Sequence, residues 1–250
     1  MRSGHAETAD APVLCAGVGA RDGPRQVIRL ASFRMTATDV GRPALGIVTS
    51  RPAAAAALTG LLCGRIAPSH GQLLVLGQDL TRLSGRLAVR REVGVASRIS
   101  RFWPTIGIRG FVVLAAKRSG QRRSDRGLLV AAILDRLGLM PWADVQLRAA
   151  PPLIARRARI AAACVHQPEL LIIDGLFDQL TPGDRVALAR TVTEFKRDTA
   201  VVVIGKDADT MLLCCDQVVT EDDGIVLGQY PLPPASVHKI AKIPPFDHAR

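Results

Sequence analysis

Apolar residues in this chain fall into short runs of two kinds. Some runs are nearly continuous: Ala44–Val48 (ALGIV), Glu169–Asp174 (ELLIID) and Ala200–Gly205 (AVVVIG). Such Val, Ile and Leu runs, bounded by polar or turn residues, read as strands buried on both faces. Other apolar positions recur at helical spacing. Between Pro182 and Lys196 they fall at Val186, Leu188, Ala189, Val192 and Phe195, which predicts a helix. Pro52 opens another helix, through Ala53–Ala57 to Cys63, with Gly64 as its stop. Proline suits the first helical position, and alanine is the best helix former. From Val13 to Met35, short alternations broken by Asp22-Gly23-Pro24 predict two strands and a turn. Gly71–Gly77 (GQLLVLG) predicts a strand between glycines. Pro104 to Val165 is mostly helical by period, with breaks at Ser119-Gly120 and Pro151-Pro152. Gln217–Thr220 and Gly224–Leu227 predict a closing hairpin around Asp222-Asp223. The segment 1–12 reads as an irregular leader, and 229–250, with its five prolines from Pro231 onward, as an irregular tail.

Buried strands separated by helices imply an α/β fold with a parallel sheet covered on both faces. The chain has 250 residues, 48% of them hydrophobic, which is enough for one substantial core and argues against wholesale disorder. Only 4% are aromatic, so that core must be built from Ala, Leu, Val and Ile. No apolar run reaches the roughly 18 residues that span a bilayer, and the N-terminus lacks the apolar stretch of a secretory signal. The five cysteines have no C-x-x-C spacing and read as reduced, mostly buried thiols in a cytosolic chain. The net charge is +11, carried mostly by arginine. It favours an anionic neighbour, either nucleic acid or a headgroup layer. Arginine inflated together with Ala, Gly and Pro by a GC-rich genome explains it equally well.

Several stretches, in order, resemble the nucleotide-binding domain of ABC transporters over about residues 13–228. Cys63–Gly71 (CGRIAPSHG) is similar to the segment after the family's Walker A helix, and Val75–Leu80 (VLGQDL) to the strand and turn that follow. Phe102–Arg109 (FWPTIGIR) resembles the stretch just past the Q-loop. Val165–Asp174 (VHQPELLIID) resembles Walker B, and Cys215–Val218 (CDQV) the segment after the switch histidine. The resemblance implies a P-loop NTPase-like, three-layer α/β core with an N-terminal antiparallel β subdomain and a helical subdomain at about 104–165.

The same resemblance marks what is missing. A P-loop wraps phosphates with glycine backbone N–H groups, reaches them with a lysine and holds Mg²⁺ with a hydroxyl. The corresponding loop is Thr49, Ser50, Arg51, Pro52 and onward. Thr49 stands for the first glycine, Ala54 for the second, Ala55 for the lysine, and Ala56 and Ala57 for the hydroxyls. Pro52 removes one more N–H. No aromatic lies near Asp22 to stack on adenine. The Q-loop glutamine falls on Arg98, and the signature on Ala150-Pro151-Pro152-Leu153-Ile154. The catalytic glutamate falls on Gly175 and the switch histidine on Lys206. Only the Walker B carboxylate remains, as Asp174. No catalytic residue and no metal ligand is therefore assigned, and ATP with Mg²⁺ is a disfavoured cofactor. Asp174 and Lys206 are expected to pair across the empty site. Arg51, Arg98 and Lys206 could together form an anion site, or reflect drift in an arginine-rich chain.

These readings imply a non-catalytic subunit with a structural or regulatory role, peripheral at the cytoplasmic face of a membrane permease. It would dimerise with itself or with an active ABC ATPase. The alternative is an ATP-binding subunit that retains nucleotide binding or hydrolysis through its partner. Phe102 and Trp103 sit where the resemblance places the permease contact, and adjacent aromatics anchor interfaces well. Packing within the helical part is the simpler role for one of them, and Trp142 reads as core. Lys117, Arg118, Arg122, Arg123 and Arg126 form a basic cluster that is a solvated face or touches anionic lipid headgroups. Nucleic acid is not expected, because no stacking aromatics interleave the charges.

Overall fold

The computed structural model describes residues 11–36, 38, 41–98 and 105–227. Phe102 and Trp103, residues 1–10 and the tail from 228 lie outside the described residues. The first two strands, β1 (Val13–Asp22) and β2 (Arg25–Arg34), pair antiparallel about the expected turn. β3 (Ala44–Val48) leads into α1 (Pro52–Leu62). β4 (His70–Val75), β5 (Gln78–Asp79), α2 (Leu83–Glu92) and β6 (Val93–Ser97) follow. Then come α3 (Ile108–Arg118), α4 (Arg123–Arg136) and, after a 3-10 turn at Met140–Trp142, α5 (Pro152–Cys164). β7 (Leu170–Asp174), α6 (Pro182–Phe195), β8 (Ala200–Gly205), α7 (Ala208–Leu212), β9 (Gln217–Asp222) and β10 (Ile225–Leu227) complete the order.

All ten strands form one sheet in the order β5-β4-β1-β2-β10-β9-β3-β8-β7-β6. Strands β9, β3, β8, β7 and β6 run parallel. The expected antiparallel strands at the N-terminal end continue this sheet through β10, which pairs parallel with β2. Strands β3, β7 and β8 are buried along almost their whole length, which is why their sequences do not alternate. One face is covered mainly by α1, whose buried Ala54, Ala57, Leu58, Leu61 and Leu62 repeat at helical spacing. The other face is covered by α3, α4, α5, α6 and α7, with Ile108, Leu134, Ile160, Leu188 and Met211 in its core. The result is the three-layer α/β arrangement expected from the sequence. Gly64 ends α1 with φ +69°, a conformation glycine adopts without strain. Trp142 packs partly buried on the second face, and all five cysteines are free thiols, four of them buried.

The parallel strands end in step. Val48 pairs with Gly205, Ile204 with Asp174, and Asp174 with Ser97. The residues just beyond these pairs, Thr49, Lys206, Gly175 and Arg98, therefore line one edge of the sheet. Ligands of open parallel sheets bind at this carboxyl edge. Burial of Ile172 is complete. Ile172→Ala should lower the unfolding free energy by about 2–5 kcal/mol, read from the midpoint of a urea titration at unchanged slope.

Candidate functional site

The loop after β3 turns on Thr49 and Arg51. The Thr49 N–H donates to the Gly205 carbonyl at 2.8 Å, and the Arg51 N–H donates to Thr49 Oγ1 at 3.1 Å. With Pro52 at the first position of α1, which has no N–H, three of the backbone donors a phosphate would meet are already used or absent. The side chains add little. Ala54 is fully buried against the sheet, Ala55 half-buried and Ala56 exposed, and Ser50 is exposed.

The loop's cation is neutralised from within. Arg51 Nη1 lies 2.7 Å from Glu221 Oε1, and the Thr49 hydroxyl donates to Glu221 Oε2. The Gly224 N–H donates to the same Oε1 at 2.7 Å. The Glu221 side chain is only 1% exposed, so this carboxylate is held by three donors in place of water. Sequence reasoning missed Glu221, which sits in the TEDDG stretch read as a turn. Its position three residues before Gly224 was the one available signal.

Asp174 ends β7 beside α1. Its carboxyl accepts from Ser97 Oγ at 3.3 Å. Burial pushes its pKa above the ordinary aspartate value, opposed by the hydroxyls of Ser97 and Thr59 and by the Arg98 guanidinium, while Asp178 adds to the rise. The expected ion pair with Lys206 does not form. No such pair occurs among the described residues, and Lys206 is exposed while Asp174 is half-buried. The lysine sits one residue beyond the end of β8 with its side chain exposed, where pairing with a half-buried carboxyl would cost it solvation.

Nor do Arg51, Arg98 and Lys206 converge. Arg98 and Lys206 line a cavity of about 200 Å³ with Phe177, Asp178, Arg185 and Asp207. Arg51 is not on its wall and belongs to Glu221. Arg98 Nη1 donates to Gln179 Oε1 at 3.3 Å, and Arg185 pairs with Asp207 at 3.0 Å. Gly175, expected from the sequence resemblance to stand for a catalytic glutamate, has φ +64°. The Pro151-Pro152 pair caps α5 with no side-chain hydrogen bond. The exposed residues Lys117, Arg118, Arg122 and Arg123, with half-buried Arg126, cluster at the α3–α4 turn. Among the described residues no group of three or more His, Cys, Asp or Glu could hold a metal ion.

The loop after β3 and the carboxylate ending β7 lie at one edge of a sheet with helices on both faces, and the chain as a whole is similar to known proteins. No family model matches the chain. Methionine import ATP-binding protein MetN 1 of Pseudomonas fluorescens is 28% identical over 176 residues, covering 68% of this chain and 52% of that protein. ABC transporter A family member 1 of Dictyostelium discoideum is 21% identical over 203 residues, 81% of this chain and 23% of that protein. The chain is a homologue of ABC transporter ATP-binding subunits. It spans between 23% and 59% of the length of the first curated relatives it matches. Solved structures share its fold. The structure of cbiO1 from Clostridium perfringens, part of the ABC transporter complex cbiONQ, superposes with a TM-score of 0.75 at 17% identity over 87% of each chain. The structure of an ATP-binding subunit of an ABC transporter superposes with a TM-score of 0.70 at 18% identity over 88% of this chain and 90% of that one. No helix among this homologue's described residues is long and apolar enough to cross a membrane.

Two outcomes follow from these contacts. Arg51→Met should destabilise the fold by about 3 kcal/mol, because it leaves Glu221 buried without its cation. Arg51→Met combined with Glu221→Met should recover most of that loss in a double-mutant cycle of urea midpoints. Asp174 behaves in the opposite sense. A carboxyl whose folded pKa is raised stabilises most below its unfolded pKa, and that contribution is lost as pH rises through the folded value. Asp174→Asn should therefore raise Tm at pH 7, and the gain should vanish as pH falls below the ordinary aspartate range near 3.8.

Proposed function

We propose that this chain is a catalytically inactive subunit of the ATP-binding-cassette type that docks on a membrane permease and serves its assembly or regulation. The observation that carries this reading is the Arg51–Glu221 pair, which fills the loop's charge requirement with an internal carboxylate. The residues present do not fit Mg²⁺ and ATP. Ala54, Ala55 and Ala56 offer methyl groups where a triphosphate needs a cradle, a cation and a metal-binding hydroxyl. A charge-assisted hydrogen bond to phosphate is worth roughly 1.5–3 kcal/mol, so loss of the lysine alone weakens binding by about one to two decades.

In this reading the chain acts at the cytoplasmic face of a membrane, with residues 13–228 as the cassette and about 104–165 as its helical part. Its partners are a permease and a second cassette, a copy of itself or an active ATPase. Phe102 and Trp103 are offered as permease anchors, and the α3–α4 basic cluster as a contact for anionic headgroups, each cation worth about 1 kcal/mol near such a surface. The similarity to cbiO1, which belongs to a multi-subunit transporter complex, supports a partnered role. A second reading has one observation in its favour. Asp174 remains at the carboxyl end of β7, so residual nucleotide binding completed by a partner subunit is the alternative.

Calorimetric titration with ATP and Mg²⁺ should give no saturable binding below millimolar concentration, and copurification from membranes should recover a multi-span partner. Micromolar binding, or turnover of ATP by the copurified complex that this chain's Asp174→Asn variant abolishes, would favour the alternative. Ala55→Lys, Ala56→Ser and Gly175→Glu combined should leave hydrolysis at background in a phosphate-release assay, since Glu221 and the left-handed backbone at 175 both remain.

A further inference from the structure

Between α1, β6, α3 and α5 lies a cavity of about 710 Å³, within the size range of small-molecule sites. Ile66, Val95, Phe111 and Leu114 give it apolar walls, the small side chains of Ala115 and Ala162 leave room between them, and exposed Arg65 and Arg118 stand on the same lining. One end is polar. Thr59, Ser97, Asp174 and Arg159 meet there, each on a different element.

The polar end has unused capacity. Thr59 is 7% exposed and its Oγ1 has no hydrogen-bond partner. The hydroxyl is near enough to Asp174 to oppose the rise in that carboxyl's pKa, without closing a hydrogen bond to it. Threonine hydroxyls inside helices ordinarily return to the carbonyl four residues back. Thr191 and Thr193 do so here, at 3.1 Å to Ala187 O and 3.0 Å to Ala189 O. Thr59 does not, and a buried hydroxyl left unpaired is destabilising. Arg159 donates through Nη1 to the Ser97 carbonyl at 3.3 Å, while its buried Nε has no partner. Asp174 accepts from Ser97 Oγ and has oxygen lone pairs to spare. Thr59 and Ser97 thus flank the Asp174 carboxyl, and Arg159 reaches the same end of the cavity at the Ser97 carbonyl.

That set discriminates among head groups. An ammonium group would suit Asp174 but face the Arg159 guanidinium. A carboxylate would suit Arg159 but face Asp174. A neutral amide presents a carbonyl to Thr59 and Arg159 and an N–H to the carboxyl, so each group is satisfied without a like-charge contact. We propose that this cavity binds a neutral, amide-bearing molecule with an apolar body, its amide edge on Thr59, Arg159 and Asp174. The site needs neither a triphosphate nor a metal, but it shares Asp174 with any residual nucleotide site and so rests on the proposed reading that none is bound there.

Three probes with one apolar body and different heads test it: benzamide, benzylamine and benzoate, each titrated into the full chain by saturation-transfer NMR. Benzamide should bind with Kd on the order of 1 mM, well inside the ceiling for a fragment of its size, and about tenfold tighter than the other two. Thr59→Val removes the hydroxyl at constant shape, and Ala115→Phe fills the cavity from α3. Each should weaken benzamide binding at least about tenfold while circular dichroism and Tm show a folded chain. Two variants on different helices keep the test open if one fails to fold. Preference for benzoate or benzylamine would overturn the amide assignment. Absence of binding by all three probes, or benzamide binding unchanged in Thr59→Val, would overturn the site.

Discussion

A carboxylate cannot be buried without donors, and Glu221 meets that constraint in a way that organises its surroundings. Water would solvate an exposed glutamate; inside, each oxygen must find an N–H or O–H. Glu221 recruits Thr49, Arg51 and Gly224. Thr49 and Arg51 belong to the loop between β3 and α1, and Gly224 to the β9–β10 turn. The Gly224 carbonyl in turn accepts from the N–H groups of Arg29 and Leu30 on β2. One buried charge thus joins the middle of the parallel sheet to its antiparallel wing, and ties down the loop between β3 and α1.

The rest of that edge follows from strand register. Because β3, β8, β7 and β6 stop together, Thr49, Lys206, Gly175 and Arg98 arrive side by side whatever their chemistry. The scaffold delivers positions, and the side chains decide what is done with them. Here Thr49 turns to Glu221, Arg98 to Gln179 and Lys206 to solvent, while the space opened by small residues lies between α1, β6, α3 and α5 and reaches the edge at Ser97 and Asp174.

How much of this could be read from the residues depended on how locally each feature is encoded. β3, β7 and β8 were legible because burial on both faces leaves continuous runs of Val, Ile and Leu. α1, with its proline start and glycine stop, was legible for the same local reason. α2 and β6 left fainter marks. α2 buries only Gly85 and Val89 and exposes Leu83 and Leu87, so its apolar residues do not trace one face. β6 is a five-residue edge strand with a glycine inside. The candidate site was legible as a set of positions and illegible as a set of partners. Asp174 was expected to meet Lys206 and meets Ser97 instead; Arg51 was grouped with Arg98 and Lys206 and pairs with Glu221, 170 residues away. Side-chain partners across a sheet are fixed by register and rotamer, which no local pattern records.

Gly175 carries a consequence for how such a chain can change over time. Its backbone lies in a region where any other residue costs roughly 1–2 kcal/mol. A single substitution to an acidic residue there arrives with a stability penalty and no immediate benefit, because the loop opposite still offers methyl groups and a neutralised arginine. The geometry at one glycine thus acts as a filter: whatever the rest of this sheet edge tolerates, a carboxylate at 175 starts uphill.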